Sequence, residues 1–362
     1  MTTLVNPLPA AATLPEVEPE SNRLCLTPDE IYSIQRLLAR VAARVRSVED
    51  ERFLGEASLL AHELPLRLRT FLLNFKLAEP EAGFCVISDC PVDHSKIGST
   101  PSHWNTDEGR ARTLEEEILF VLLASLLGDV FGWATQQNGR VIHEVLPIRE
   151  YAQEQISIGS EQPIWWHNED AFHPYRGDYV GLMCLRNPNN IATTVASVES
   201  VKLDPRLVEV LSQPRFIIRP DKSHLAENND LGGDDEGPGG EVARAFERIC
   251  EMQQSAQKVP VLSGGPRSLY IRIDPFFMEP ADDAEAQSAL DALINAIDEQ
   301  LREVVLVPGD ICFIDNYKAV HGRRSFTARY DGSDRWLKRI NVTRDLRKSR
   351  GVRPTSLSRI IS

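Results

Sequence analysis

The chain has 362 residues, of which 42% are hydrophobic and 26% are charged, a composition typical of folded globular proteins. A formal net charge of −13 argues against a nucleic-acid partner, because binding to phosphates requires a positively charged face. The acidity is explained most simply by solubility, and it also suits a small cationic partner. The six cysteines include no CxxC pair, which fits a reducing compartment and predicts a cytoplasmic location.

The N-terminal part is predicted to be helical. Residues 1–22 have no basic segment followed by an apolar core, so we expect a disordered lead-in and no signal peptide. The remainder, 23–362, is expected to form a single domain. Within its helical part, 27–130, apolar residues recur at three- and four-residue spacing after Thr27, and Thr27 with Glu30 predicts a capping box.

Two further segments complete this part. The run 83–92 has β-type composition, and Leu114–Leu127 is predicted to be a helix that Gly128 ends. The apolar stretch around that helix is short for a membrane span and contains Gly128 and Asp129, so we expect a buried helix and no membrane partner.

The region from about 131 to 347 is predicted to form a β core. Short strand-like runs separated by Pro, Gly, Asn or Asp predict a mainly β fold with flanking α-helices, and specifically a double-stranded β-helix, or jelly-roll. We predict two helices inside it, Asp204–Leu211 and Asp282–Val304. The acidic, Gly-rich segment 226–244 is interpreted as a lid. The predicted strands are RVIHEVLPI, YVGLMCLRN, IATTVASV, RFIIRP, RSLYIRID, EVVLVPGDICFID and RWLKRINVTR.

Three residues are candidate catalytic metal ligands. In WWHNED, His167 and Glu169 are separated by one residue, so on an extended strand both side chains point to the same face. His321, in FIDNYKAVHG, supplies a third ligand at the end of a predicted strand pair. Two histidines and one carboxylate form the facial set that holds iron(II) and leaves positions open for oxygen and an organic co-substrate.

Two arginines extend this pattern. Arg335 and Arg339 are four residues apart in RWLKRINVTR, so on a strand both guanidinium groups point into one cavity. Two inward arginines require carboxylate partners, and a dicarboxylate co-substrate together with an amino-acid carboxylate would provide them.

With these ligand and arginine positions, the chain resembles the clavaminate synthase-like iron(II)/2-oxoglutarate oxygenases, and among them the free L-arginine hydroxylases. The resemblance runs from about Trp133 to Arg347, through HNEDAFHPYRGDYVGL, IIRPDKSHL, FIDNYKAVHGRRSF and RYDGSDRWLKRINVTRDLR. It implies that His167, Glu169 and His321 bind Fe(II), with 2-oxoglutarate and O2 as co-substrates. It also implies that Arg335 and a threonine of IATT, for which we choose Thr194, hold the distal carboxylate of 2-oxoglutarate.

The resemblance also implies roles toward the substrate. It implies that Arg339 clamps the α-carboxylate of the substrate and that Gln136 and Glu169 lie near its α-amino group. It also implies that Asp221 and Ser223 contact the substrate and that Asp274 anchors the substrate side chain. The implied activity is hydroxylation at the β or γ carbon of a free L-amino acid, in secondary metabolism such as antibiotic biosynthesis.

One departure leaves the substrate open. The arginine hydroxylases carry a second aspartate two positions after the first, where this sequence has Phe276, so arginine, lysine and citrulline all remain candidates. Desaturation or cyclisation of the same substrates also remains open, as does a non-catalytic metal-binding β-sandwich protein. The sequence leaves the oligomeric state open.

Overall fold

The computed structural model describes residues 22–106, 112–225, 240–265, 268–281 and 283–362. Positions 1–21 of the predicted lead-in therefore lie outside the described residues, as do positions 226–239 of the predicted lid. The helices of the described residues are α1 Pro28–Ala42, α2 Glu51–Ala61, α3 Leu66–Ala78, α4 His94–Ile97, α5 Leu114–Leu127, α6 Pro205–Leu211, α7 Glu241–Gln254 and α8 Ala284–Asp298.

The N-terminal helices form where their sequence signals place them. The capping box of α1 is present: the Thr27 backbone N–H donates to Glu30 Oε2 at 2.8 Å and the Glu30 N–H donates to Thr27 Oγ1 at 3.3 Å. Helix α5 coincides with the prediction and is buried on nearly all sides, as expected for a helix that is apolar around its whole circumference. No helix within the described part of the chain is long and apolar enough to span a bilayer.

Two sheets face each other across the core. The larger sheet has the order β1-β2-β11-β6-β13-β3-β14, with β4 also paired to β13, and the smaller has the order β10-β7-β12-β5. Apolar side chains of both sheets, including Leu182, Cys184 and Leu337 from the larger and Val195 from the smaller, form one cluster between them. This is the predicted double-stranded β-helix. The strands are β1 Arg23–Cys25, β2 Phe84–Ser88, β3 Asp129–Trp133, β4 Ile142–Val145, β5 Ile164–His167, β6 Tyr179–Arg186, β7 Thr193–Ser197, β8 Leu262–Gly265, β9 Ser268–Ile271, β10 Arg302–Val304, β11 Ile311–Asp315, β12 Ala319–Arg323, β13 Trp336–Thr343 and β14 Ile360–Ile361.

Helices cover the outer faces of both sheets. Helix α5 packs on the larger sheet, where it lies close to β6 because Gly181 has no side chain. A Cβ atom at Gly181 would meet Phe120, Phe313 and Ile340 atoms at 2.7–2.8 Å. Helices α6 and α8 pack in a second cluster, which includes Ala196 and Val320 of the smaller sheet. Among the described residues, helices therefore pack on the outer face of each sheet, and the faces that the two sheets turn toward each other enclose the core.

Three of the differences from the predictions lie in the region from 204 to 304. RFIIRP forms only isolated bridges at Phe216 and Ile218, because prolines flank the segment on both sides and interrupt a ladder. The helix predicted at Asp282–Val304 ends at Asp298, and Arg302–Val304 instead pairs with β7. Helix α7, which was not predicted, begins at Glu241 within the predicted lid.

Candidate active site

A single cavity lies between the two sheets and brings together most of the predicted site residues. The space between its walls, with the open mouth counted, is about 840 Å³. The predicted residues that line it are His167, Glu169, Asp221, Ser223, Asp274, His321, Arg335 and Arg339.

Strand pairing places the three candidate ligands next to one another. His167, the last residue of β5, is the register partner of His321 on β12, so both rings project from the same face of the smaller sheet. Glu169 follows β5 directly. Its Oε2 lies 3.8 Å from His167 Nε2 and 3.5 Å from His321 Nε2, and all three ligand atoms lie within 4.8 Å of one another. A metal ion at their centre would meet the two-histidine, one-carboxylate set that non-heme iron(II) prefers.

The hydrogen bonds of these ligands suit metal binding. His167 Nδ1 lies 2.9 Å from the Trp165 carbonyl oxygen, so it carries the proton and leaves the Nε2 lone pair directed at the centre. Burial acts to raise the pKa of Glu169, but Arg339 and the two histidines outweigh it and hold that pKa well below its usual range. Glu169 is therefore a carboxylate at neutral pH.

Two buried asparagines fix the backbone at Glu169, and sequence reasoning missed both. The Glu169 backbone N–H donates to Asn316 Oδ1 at 2.8 Å, and Asn316 Nδ2 donates back to the Glu169 carbonyl at 2.9 Å. Asn168, between the two ligands, donates to the carbonyls of Asn316 and Ala319 at 2.9 and 3.0 Å. Both amides are fully buried. Their only sequence signal is position: Asn168 lies inside HNE, and Asn316 lies in the turn before the strand of His321.

Arg339 lies at one end of the cavity in a buried polar network. One guanidinium nitrogen, Nη1, donates to Glu169 Oε1, and Nη2 donates to Gln136 Oε1 at 3.0 Å and to His143 Nδ1 at 2.8 Å. Gln136 Nε2 in turn donates to Ser223 Oγ at 2.5 Å. Gln136 thus reaches the cavity through Arg339 and Ser223, and it lines a smaller adjoining cavity instead.

His143 is a third residue whose role was missed. It is buried behind Arg339, and burial together with that guanidinium lowers the pKa of its imidazole well below the usual range. Its neutral ring donates from Nε2 to the Arg140 carbonyl at 3.0 Å and accepts from Arg339 at Nδ1. Nothing in the surrounding sequence VIHEV marks it, because its partner is nearly two hundred residues away.

Arg335 lies in the same cavity. Burial lowers the pKa of its guanidinium to about 10, so it remains charged at neutral pH. Its Nε has no hydrogen-bond partner, and no carboxylate of the described residues forms an ion pair with it. A buried unpaired cation is costly, and the chemistry of the site fits a bound carboxylate at this position.

The threonine that lines the cavity together with Arg335 is Thr193, which corrects our choice of Thr194. On β7, Val195 is the register partner of His321 and Thr194 is that of Gly322. Side chains alternate along a strand, so Thr193 and Val195 share the face of His321 while Thr194 points to the opposite face. Thr193 lines the cavity and Thr194 does not. Because IATT contains two consecutive threonines, the sequence does not indicate which of them faces the cavity.

Asp274 and two aromatic side chains also line the cavity. Burial raises the pKa of Asp274 to about 6, and the neighbouring His167 opposes this shift. The backbone N–H groups of Phe276 and Phe277 donate to Asp274 Oδ1 at 3.2 and 3.3 Å. Phe276 and Trp165 line the cavity mouth and remain 44% and 39% exposed, which is unusual for large aromatic residues and leaves their faces available to a ligand.

Comparison with known proteins agrees with this geometry. The family model described as taurine catabolism dioxygenase TauD, TfdA family matches residues 81–341. The chain is 44% identical to an L-ornithine/L-arginine 3-hydroxylase from Catenulispora acidiphila, over 94% of this chain and 99% of the relative. It is 42% identical to an enduracididine beta-hydroxylase from Streptomyces hygroscopicus, over 93% and 99%.

Solved structures of the non-heme iron oxygenase OrfP are also similar to this chain. The complex with iron, succinate and (3S)-hydroxy-L-arginine has a TM-score of 0.88 at 43% identity, and covers 94% of this chain and 99% of OrfP. The complex with iron and alpha-ketoglutaric acid has a TM-score of 0.83. These similarities exclude the alternative of a non-catalytic metal-binding protein. We conclude that this chain belongs to the taurine catabolism dioxygenase TauD, TfdA family and is an iron(II)- and 2-oxoglutarate-dependent oxygenase.

Proposed function

We propose that the protein hydroxylates an unactivated C–H bond, at the β or γ carbon, of a free L-amino acid with a cationic side chain, in secondary metabolism. One observation carries the proposal: a single cavity holds the three-ligand set, Arg335, which forms no ion pair with any described carboxylate, and the carboxylate of Asp274. A site with two cationic clamps and one anionic anchor suits a dicarboxylate and a cationic amino acid together. The negative net charge of the chain gives no support to a nucleic-acid partner.

His167, Glu169 and His321 would hold iron(II). When bound, the metal with 2-oxoglutarate and oxygen supplies the oxidising chemistry that attacks a C–H bond, and succinate and carbon dioxide are released. The residues of the chain position the two organic molecules and keep the site ordered. Glu169 can bind the metal and fix Arg339 at the same time, because Oε2 faces the histidines and Oε1 accepts a hydrogen bond from Arg339.

Arg335 and Thr193 would hold the distal carboxylate of 2-oxoglutarate. Replacing Arg335 with methionine removes a charged hydrogen-bonding group, which is worth about 1.5–3 kcal/mol, so we expect KM for 2-oxoglutarate to rise about 10- to 150-fold. KM for the amino acid should change little. Arg324→Met is the matched control, because Arg324 is exposed and pairs with Glu303 at 2.7 Å on the surface. A change confined to KM for the amino acid would assign Arg335 to the other ligand.

Arg339 would clamp the α-carboxylate of the amino acid. Its Nη1 contacts Glu169 and its Nη2 contacts Gln136 and His143, so the guanidinium plane is fixed before substrate arrives. Ser223 lies on the same side, and its N–H and hydroxyl both donate to Asp221 Oδ1. Asp221 and Ser223 can therefore offer an anion and a hydroxyl to the α-amino group.

Asp274 would anchor the side chain of the substrate, which favours a cation over the neutral ureido group of citrulline. With Asp274→Asn, we expect kcat/KM for arginine and lysine to fall about 10- to 150-fold, as for loss of a charged hydrogen bond. For citrulline, whose side chain is neutral, kcat/KM should fall less. Asp291→Asn on the surface of α8 is the control. Equal losses for charged and neutral substrates would remove Asp274 as the charge-specific anchor.

The decisive experiment is incubation of the iron-loaded protein with 2-oxoglutarate and a panel of amino acids. We expect cationic amino acids to stimulate succinate formation and to yield a product heavier by one oxygen atom. A product lighter by two hydrogen atoms would instead identify a desaturase or cyclase. If no amino acid stimulates succinate formation, the proposed substrate class is wrong.

A further inference from the structure

Three segments that are far apart in sequence each place a pair of consecutive residues at the site. In each pair, one residue belongs to a chain of hydrogen bonds along the cavities and the other to a second chain. The pairs are Thr135 and Gln136, Glu169 and Asp170, and Ser223 and His224. Gln136, Glu169 and Ser223 belong, with Arg339, to the chain that faces the cavities. Their sequence neighbours form a second chain behind it, which we call the outer chain and which consists of Thr135, Asp170 and His224.

The outer chain is centred on His224. His224 Nδ1 lies 2.7 Å from Thr135 Oγ1, and His224 Nε2 lies 2.9 Å from Asp170 Oδ1. Trp133 Nε1 donates to the other oxygen of Asp170 at 2.6 Å. The side chains of His224 and Asp170 have no solvent exposure. One imidazole therefore joins the segment after β3, the metal-ligand segment and the segment of Asp221 and Ser223.

The composition of this cluster resembles that of a second metal site, because Asp170, Asp221 and His224 place ligand atoms within 4.8 Å of one another. The hydrogen bonds argue for a different role. Both ring nitrogens of His224 and both carboxylate oxygens of Asp170 already contact protein groups. A metal would have to displace satisfied buried bonds, so the cluster is a structural junction.

We propose that His224 is a positioning residue that fixes the Asp221–Ser223 turn against the metal-ligand segment, so that the substrate is held in register with the iron site. This inference rests on the proposed function. Asp170 has a left-handed backbone, with φ of 50°, which is unfavourable for a residue other than glycine. Its bonds to His224 and Trp133 stabilise that turn immediately after Glu169. Small displacements of a bound substrate strongly reduce productive reaction.

The test compares two buried histidines. His224→Leu removes both bonds of the outer chain. His173→Leu removes a ring that also packs on Trp133, at 4.3 Å between centroids. Among the described residues, the one hydrogen bond of that ring is the bond that Nδ1 accepts from the nearby Tyr175 N–H at 3.0 Å. Both substitutions disturb the core around Trp133, but only His224→Leu breaks the hydrogen bonds that hold the Asp221–Ser223 turn.

For His224→Leu we expect KM for the amino acid to rise about ten-fold or more, as when charged or buried hydrogen bonds are lost. Succinate should form in excess over hydroxylated product, and KM for 2-oxoglutarate should stay near that of the wild type. Anaerobic calorimetry with the iron-loaded protein should show the same weakening of amino-acid binding, which is independent of turnover. His173→Leu should keep the wild-type ratio of product to succinate. The same uncoupling in both variants would overturn the proposal.

A second pair of variants removes dependence on the folding of His224→Leu. Thr135→Val keeps the shape of the side chain but loses the hydroxyl, whereas Thr135→Ser keeps the hydroxyl. We expect Thr135→Val to raise KM for the amino acid and Thr135→Ser to keep KM near the wild-type value. The same KM for the two variants would contradict the proposal. Wild-type protein that forms no hydroxylated amino acid would refute the proposed function, whereas an active wild type with unaffected variants would refute the outer chain alone.

Discussion

We expect His321→Ala to abolish hydroxylation and to weaken iron(II) binding by more than about 100-fold. Changes in groups that merely support a metal ligand cost about 10- to 100-fold in affinity or activity, so loss of a ligand should exceed that. His321 gives a cleaner test than Glu169, because Glu169 also accepts from Arg339. The Nδ1 atom of His321 has no hydrogen-bond partner in the described part of the chain, so removing the imidazole breaks no polar contact there apart from those of the candidate metal centre.

The measurement is anaerobic titration with iron(II), followed by succinate formation under oxygen. His94→Ala is the control, because His94 is exposed on α4 and distant in sequence from every candidate ligand. Unfolding monitored by circular dichroism would show whether His321→Ala is folded. A folded variant that still binds iron(II) with wild-type affinity would remove His321 from the ligand set.

The sequence predicts the site to the extent that local periodicity determines side-chain direction. Spacing by one residue aligns His167 with Glu169, and spacing by four aligns Arg335 with Arg339. The structure places all four in one cavity together with His321. The jelly-roll follows from many short strands with turn residues between them, and the register between β5 and β12 then brings the two histidines side by side.

What the sequence leaves open depends on contacts between distant segments. His143 and His224 become parts of the site only through partners far along the chain, and an isolated histidine has no pattern that reveals such a partner. The choice between Thr193 and Thr194 depends on the phase of β7, because a shift of one residue reverses which side chain faces the cavity. Asn316 acts through a turn that no periodicity describes.

The same alternation predicts the largest effect on stability, at Lys338. On β13 this residue points away from the cavity that Arg335 and Arg339 line, and it is completely buried beneath α5. Its ammonium donates to Glu117 Oε1 at 2.7 Å and also to Glu144. Because Lys338→Met leaves two buried carboxylates without their cation, we expect the free energy of unfolding to fall by about 3–5 kcal/mol.

Denaturant unfolding at several pH values tests this expectation. Burial raises the pKa of Glu117, and Lys338 acts to lower it, so loss of Lys338 should raise that pKa further. A carboxyl whose pKa is higher in the folded than in the unfolded state favours folding when protonated, and stability is lost as pH rises through the folded pKa. The deficit of Lys338→Met should therefore shrink as pH falls.

Neutralising the partners should have a similar effect without a change in pH. Combining Lys338→Met with Glu117→Gln and Glu144→Gln removes the unpaired charges, so we expect the triple variant to recover part of the lost stability. Lys348→Met, at an exposed position, should stay within about 0.5 kcal/mol of the wild type. A Lys338→Met deficit that is small, or that does not change with pH, would show that the two carboxylates do not depend on this ammonium. In that case the stability of β13, which positions both arginines, would come from its apolar neighbours alone.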